Sequence, residues 1–97
     1  YSLYWVAGTK LEGVEDNSGT QSLDFTTEQT AKDCQAVCYA NDSCAGWHYE
    51  PTGSFFIDHP RCFLKGKGAP LSLEKQGSDW VAGVKPGVEI IHDGDAE

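Results

Sequence analysis

The sequence predicts an α+β domain, and three observations carry that expectation. One segment repeats its apolar residues at helical spacing, several short segments alternate in the β manner, and four cysteines punctuate the middle of a chain of 97 residues. That length holds one domain with one modest core, so residues 1–97 form a single unit, with its body at about 13–85 and a terminal strand and acidic tail at 86–97.

The first segment, Leu3 to Leu11, mixes aromatic and branched residues with Gly8 and predicts a strand or an irregular strand pair. An acidic, Asn/Ser/Gly-rich loop follows from Gly13 to Gly19. Ser22 to Phe25 alternates weakly and runs into a helix start. There, Thr26 and Gln29 have the spacing of a capping box, whose side chains satisfy the first orphan N–H groups. From Thr27 to Tyr39 a step of about 100° gathers Thr27, Thr30, Ala31, Cys34, Val37 and Cys38 on one stripe, with Glu28, Lys32, Gln35 and Tyr39 opposite. Asn41-Asp42-Ser43 is turn chemistry and ends the helix.

Ala45 to Tyr49, Arg61 to Lys65 and Trp80 to Lys85 then alternate as strands, separated by loops rich in Pro and Gly. Val88 to Ile91 predicts a closing strand. Trp5-Val6-Ala7-Gly8-Thr9-Lys10 echoes Trp80-Val81-Ala82-Gly83-Val84-Lys85. Chance likeness between two terminal strands is the plain reading; the sharper one is a tandem array whose first copy is left over from a preceding unit.

Fifteen Asp and Glu against seven Lys and Arg give a formal net charge of -8, a surface that repels phosphate backbones, so nucleic acid is not an expected partner. No apolar run approaches the roughly 20 residues that span a bilayer, and no basic segment followed by an apolar one opens the chain. With no methionine anywhere, the chain reads as part of a longer polypeptide, whose neighbouring domains then count among its partners.

Cys34, Cys38, Cys44 and Cys62 are an even set in a small chain, which predicts a disulfide framework and an oxidising compartment, whether extracellular, cell-surface or periplasmic. Residues 34 and 38 are one helical turn apart, where Cβ atoms lie about 5–6 Å from each other, beyond the roughly 3.5–4.5 Å of a disulfide. Of the two remaining pairings, Cys34–Cys62 with Cys38–Cys44 is preferred. Only one tight turn is needed to return Cys44 to the last helical turn, leaving Cys34 to face the strand that holds Cys62. Four thiolates also suit tetrahedral zinc, but C-x3-C on a helix followed by C-x5-C is not knuckle spacing, and no metal or cofactor is expected.

The run Cys34-x3-Cys38-x5-Cys44-Ala45-Gly46-Trp47-His48-Tyr49, then Arg61-Cys62-Phe63-Leu64-Lys65 and Val81-Ala82-Gly83-Val84-Lys85, resembles the PAN/apple superfamily in its short four-cysteine, microbial form. The resemblance covers roughly Gly13 to Lys85. It implies a curved antiparallel sheet packed on a single α-helix, stapled by the same two bridges. Longer apple domains join their ends by a third disulfide, for which this chain has no cysteine, and where some relatives place a cysteine before the last strand it has Trp80.

No nucleophile elbow or Ser/His/Asp set is present and the cysteines are committed to bridges, so the chain is not expected to be an enzyme. The scattered carboxylates and the tail Asp93-Gly94-Asp95-Ala96-Glu97 read as solvated surface, not as an acid/base pair or a calcium loop. A disulfide-rich module without catalytic groups acts through its surface. The expected function is protein or carbohydrate binding within a larger secreted or surface protein; structural docking inside a multidomain chain is the alternative. Strand alternation turns Cys62 and Leu64 toward the helix and His48 and Phe63 away, making that pair the first candidate ligand-binding site. The competing expectation is that the loop from Pro51 to Pro60 covers Phe63 with Phe55, Phe56 and Ile57. Tyr39 on the helix backside and the acidic loop at Glu15 and Asp16 are further candidates.

Overall fold

Gly8 turns the opening segment into two strands. Its φ of 73° lies in the left-handed region that glycine adopts without steric cost, so β1 (Val6–Ala7) and β2 (Thr9–Gly13) leave it in different directions and join different sheets. The computed structural model describes residues 3–13, 21–53, 58–67, 71–77, 79–88 and 90–92. After β2 come β3 (Gln21–Asp24), helix α1 (Ala31–Tyr39), β4 (Cys44–Glu50), β5 (Arg61–Gly66), β6 (Leu71–Lys75), β7 (Val81–Val84) and β8 (Ile90–His92).

The helix begins at Ala31, not at Thr27 as the apolar spacing predicts. Thr26 and Gln29 do bond as expected, Thr26 N–H donating to Gln29 Oε1 at 2.9 Å, but they close a separate turn in front of the helix. A second capping pair, this one closed by an acid, follows directly: Thr30 N–H donates to Asp33 Oδ2 at 2.8 Å, which makes Thr30 the cap. Two boxes in tandem explain the shorter helix. At the other end Asn41 Oδ1 accepts from Ser43 N–H at 2.9 Å, and this turn returns Cys44 to Cys38. Both bridges form as expected: Cys38–Cys44, and Cys34–Cys62 with Cα atoms 5.5 Å apart.

Five strands build the main sheet in the order β1-β7-β4-β5-β3, every neighbour antiparallel. Helix α1 packs on one face over β4 and β5. The core between them holds Phe25, Ala31, both disulfides, Trp47 and Leu64. Apolar residues of β4 and β5 alternate toward the helix as the sequence predicts, with Trp47, Cys62 and Leu64 all on that side.

A second, three-stranded sheet, β2-β6-β8, was not foreshadowed. Strand β6 alternates Leu71, Ser72, Leu73, Glu74, a period of two hidden between Gly- and Pro-rich segments, and pairs antiparallel with β2 and parallel with β8. Its leucines join Val6, Leu11, Ala45, Ala82 and Val84 in a second core on the face of the main sheet away from the helix. The folded body therefore reaches N-terminal of residue 13. The two echoing segments are partners in one sheet: Val6 lies opposite Ala82 and Ala7 opposite Val81. The first copy is the edge strand of this domain, not the remnant of another.

Candidate functional site

The face of the main sheet away from the helix carries His48 and Glu50 from β4 and Arg61, Phe63 and Lys65 from β5, the alternation expected from the strands. The expectation that His48 is exposed there is overturned. Its side chain is buried, with 5% residual exposure, because β2 and β6 cover this end of the face. The imidazole stacks on Phe63 with ring centroids 4.7 Å apart and tilts against Trp80 at 5.6 Å. Its Nδ1 lies 3.1 Å from both the amide nitrogen and the carbonyl oxygen of Leu11, accepting from the one or donating to the other according to tautomer. Burial first, then the positive charge of Lys65, pushes its pKa down to about 3.

Phe63 points away from the helix as expected but is half-buried between two neighbours, the His48 ring on one side and the Arg61 guanidinium 5.1 Å from its centroid on the other. Arg61 in turn pairs through Nε with the buried carboxylate of Glu50. Phe63 thus belongs to a packed column, neither a free anchor nor a ring shown to be capped by the 51–60 loop. Phe55, Phe56 and Ile57 of that loop lie outside the described residues, as do Glu15, Asp16 and the acidic tail.

Beyond the end of β3, His59 sits between two carboxylates, its Nδ1 2.9 Å from Asp58 and its Nε2 3.1 Å from Asp24. Hydrogen bonding to Asp58 and then to Asp24 raises the His59 pKa, and the same contact lowers that of Asp58. These groups are solvated. Among the described residues no group of three or more His, Cys, Asp or Glu side chains is arranged to hold a metal ion.

The exposed aromatic surface lies on the other side of the main sheet, beside the helix. Tyr4, Trp5 and Tyr39 are the large hydrophobic side chains left exposed among the described residues, at 46%, 42% and 45%. Because Val6 on β1 turns into the second core, Trp5 falls on the helix side, its ring 5.5 Å from that of buried Trp47. Gln35 ties the helix to this segment by donating from Nε2 to the Tyr4 carbonyl at 3.2 Å. Tyr39 lies one helical turn beyond Gln35 and so on the same stripe of α1. The result is a shelf with Tyr4 and Trp5 at its sheet side, Gln35 at the join and Tyr39 on the helix. Tyr39 was legible as an outward-facing aromatic; Tyr4 and Trp5 were not, since they lead into the edge strand β1, whereas helix α1 packs over β4 and β5.

No protein-family model, curated protein or solved structure matches this chain.

Proposed function

We infer that this domain is a non-catalytic recognition module that holds a protein or carbohydrate ligand on the shelf of Tyr4, Trp5 and Tyr39. The observation that carries this reading is the gathering of the exposed large aromatics on one flank of the helix, where rigid rings offer contact area at little entropic cost. The Gln35 amide at the join supplies a polar group that orients a ligand against the rings. The PAN/apple resemblance of the cysteine framework agrees with such a role, and two disulfides suit an extracellular, cell-surface or periplasmic setting. No helix among the described residues is long and apolar enough to cross a membrane.

A glycan array and a co-purification from extracellular fractions, run with the parent and with Trp5→Ala and Tyr39→Ser, test this reading. Binding should fall by about tenfold or more in each variant, equivalent to roughly 1.4 kcal/mol. Tyr39→Ser should move stability by no more than about 0.5 kcal/mol, as a surface substitution. Variants that keep the parent's affinity, or a parent that binds through the opposite face, overturn the assignment.

A further inference from the structure

Of the polar contacts that join the two sheets, the Thr9 hydroxyl donating to the Val6 carbonyl at 2.7 Å is indifferent to pH, whereas that of His48 depends on a proton. Strand β2 is an edge of its sheet, paired to β6 on one side, and the main-chain N–H and C=O of Leu11 both meet the Nδ1 of His48 at 3.1 Å. The imidazole thus stands in for a neighbouring strand at this point, while Phe63 and Trp80 hold its plane. We propose that His48 is an acid-sensitive latch: neutral, it holds the β2-β6-β8 sheet against the main sheet, and protonation releases that sheet.

The reasons are chemical and local. A protonated imidazole donates from both nitrogens and accepts from neither, so Nδ1 bonds only the Leu11 carbonyl and the Leu11 N–H is left without its acceptor. The new charge faces no carboxylate: the Leu11 carbonyl, which Nδ1–H then bonds, favours it, but this neutral dipole is outweighed by burial and by the cations around the ring. The charges that bear on His48 are Lys10 of β2 and Lys65 and Arg61 of β5, all cationic. The carboxylates nearby are engaged: Glu50, on the same strand, binds Arg61; Glu12 of β2 pairs with Lys10 at 3.9 Å and bears on Lys65; Glu74 of β6 accepts from the Ser72 hydroxyl. From the β7 side come the ring of Trp80 and the strand Val81–Val84, which contains no titratable residue. A buried cation among cations and aromatic edges is relieved by letting water in, and the seam between the sheets is where that happens.

Opening would uncover His48 and the Phe63 and Trp80 rings, an aromatic face distinct from the shelf beside the helix. In the opened form the imidazole regains its ordinary pKa near 6.5, whereas in the closed form it stays neutral down to about 3. The opening equilibrium therefore rises by about tenfold for each pH unit below 6.5 until the closed form itself takes up a proton. Between pH 6 and pH 4 this amounts to roughly seventyfold.

The test is NMR on the intact 97-residue chain, following the His48 ring and amide hydrogen exchange as the pH is lowered. The expected result is an imidazole that stays neutral in the closed domain at pH 5. Leu11 and its β2 neighbours should lose protection about tenfold per pH unit while amides of β4 and β5 under the helix keep theirs. His48→Asn, which retains a polar group near the Nδ1 position without titrating, should abolish that dependence. The proposal is overturned by a His48 ring that titrates near 6.5 with Leu11 protection unchanged, or by the same pH dependence in His48→Asn. Should that variant fail to fold, the ring titration and Leu11 exchange of the parent decide alone.

Discussion

Gly83 lies against the main chain of Tyr4: a Cβ at position 83 would land on the Tyr4 carbonyl and 2.9 Å from the Nε1 of Trp47. Strand β7 thus needs a residue without a side chain at this point for the N-terminal segment to cross it, and Val84 N–H then donates to the Leu3 carbonyl at 3.0 Å. Gly83→Ala should cost about 1–3 kcal/mol, as overpacking does. It should also loosen Trp5 from Trp47, so that urea unfolding and tryptophan emission both shift. An unchanged midpoint with unchanged emission would show that the crossing tolerates a methyl group.

The two disulfides close loops of unequal length, with sequence separations of 28 for Cys34–Cys62 and 6 for Cys38–Cys44. Loop-closure entropy assigns about 3.5 kcal/mol to the first and about 2 kcal/mol to the second. Replacing each pair by serines should rank the variants in that order in denaturant midpoint. Equal losses, or a larger loss for Cys38–Cys44, would place the stabilisation in local packing of the turn instead.

For Phe63 the packing between His48 and Arg61 makes a definite demand on stability. Phe63→Ser should destabilise by about 2 kcal/mol, below the cost of truncating a fully buried ring because this one is half-buried. Affinity for a ligand held on the Tyr4–Trp5–Tyr39 shelf should stay within about twofold, since the shelf lies on the opposite face. A loss of affinity at full stability would return the binding site to Phe63.

His59 makes the opposite pH prediction to His48. Its folded pKa is raised above the ordinary 6.5 by hydrogen bonds to Asp58 and Asp24, so its contribution to stability is fully present below 6.5 and is lost as the pH rises through the raised value. An NMR titration should place its midpoint above 6.5, and Asp58→Asn should bring that midpoint down. A midpoint at or below 6.5 in the parent would mean that the two carboxylates do not hold it in solution.

How much of this was legible in the sequence depends on the range of the interaction. The helix stripe of Ala31, Cys34 and Cys38, the inward turn of Trp47, Cys62 and Leu64, and both disulfides follow from periodicity and short-range geometry. The helix start was displaced by four residues because two capping pairs, Thr26 with Gln29 and Thr30 with Asp33, stand in tandem and each satisfies its own turn.

What the sequence by itself determined was the α+β class, the covalent framework and which side of β4 and β5 faces the helix. Only the tertiary structure decided what covers the other side. Alternation says that His48 points away from the helix but is silent on whether water or a second sheet waits there. The pairing of β2 with β6 spans some sixty residues and leaves no local trace beyond a period of two. The same holds for Tyr4 and Trp5, which lead into the edge strand β1, whereas helix α1 packs over β4 and β5. Side-chain direction is a property of the local backbone; burial is a property of whatever chain arrives from far along the sequence.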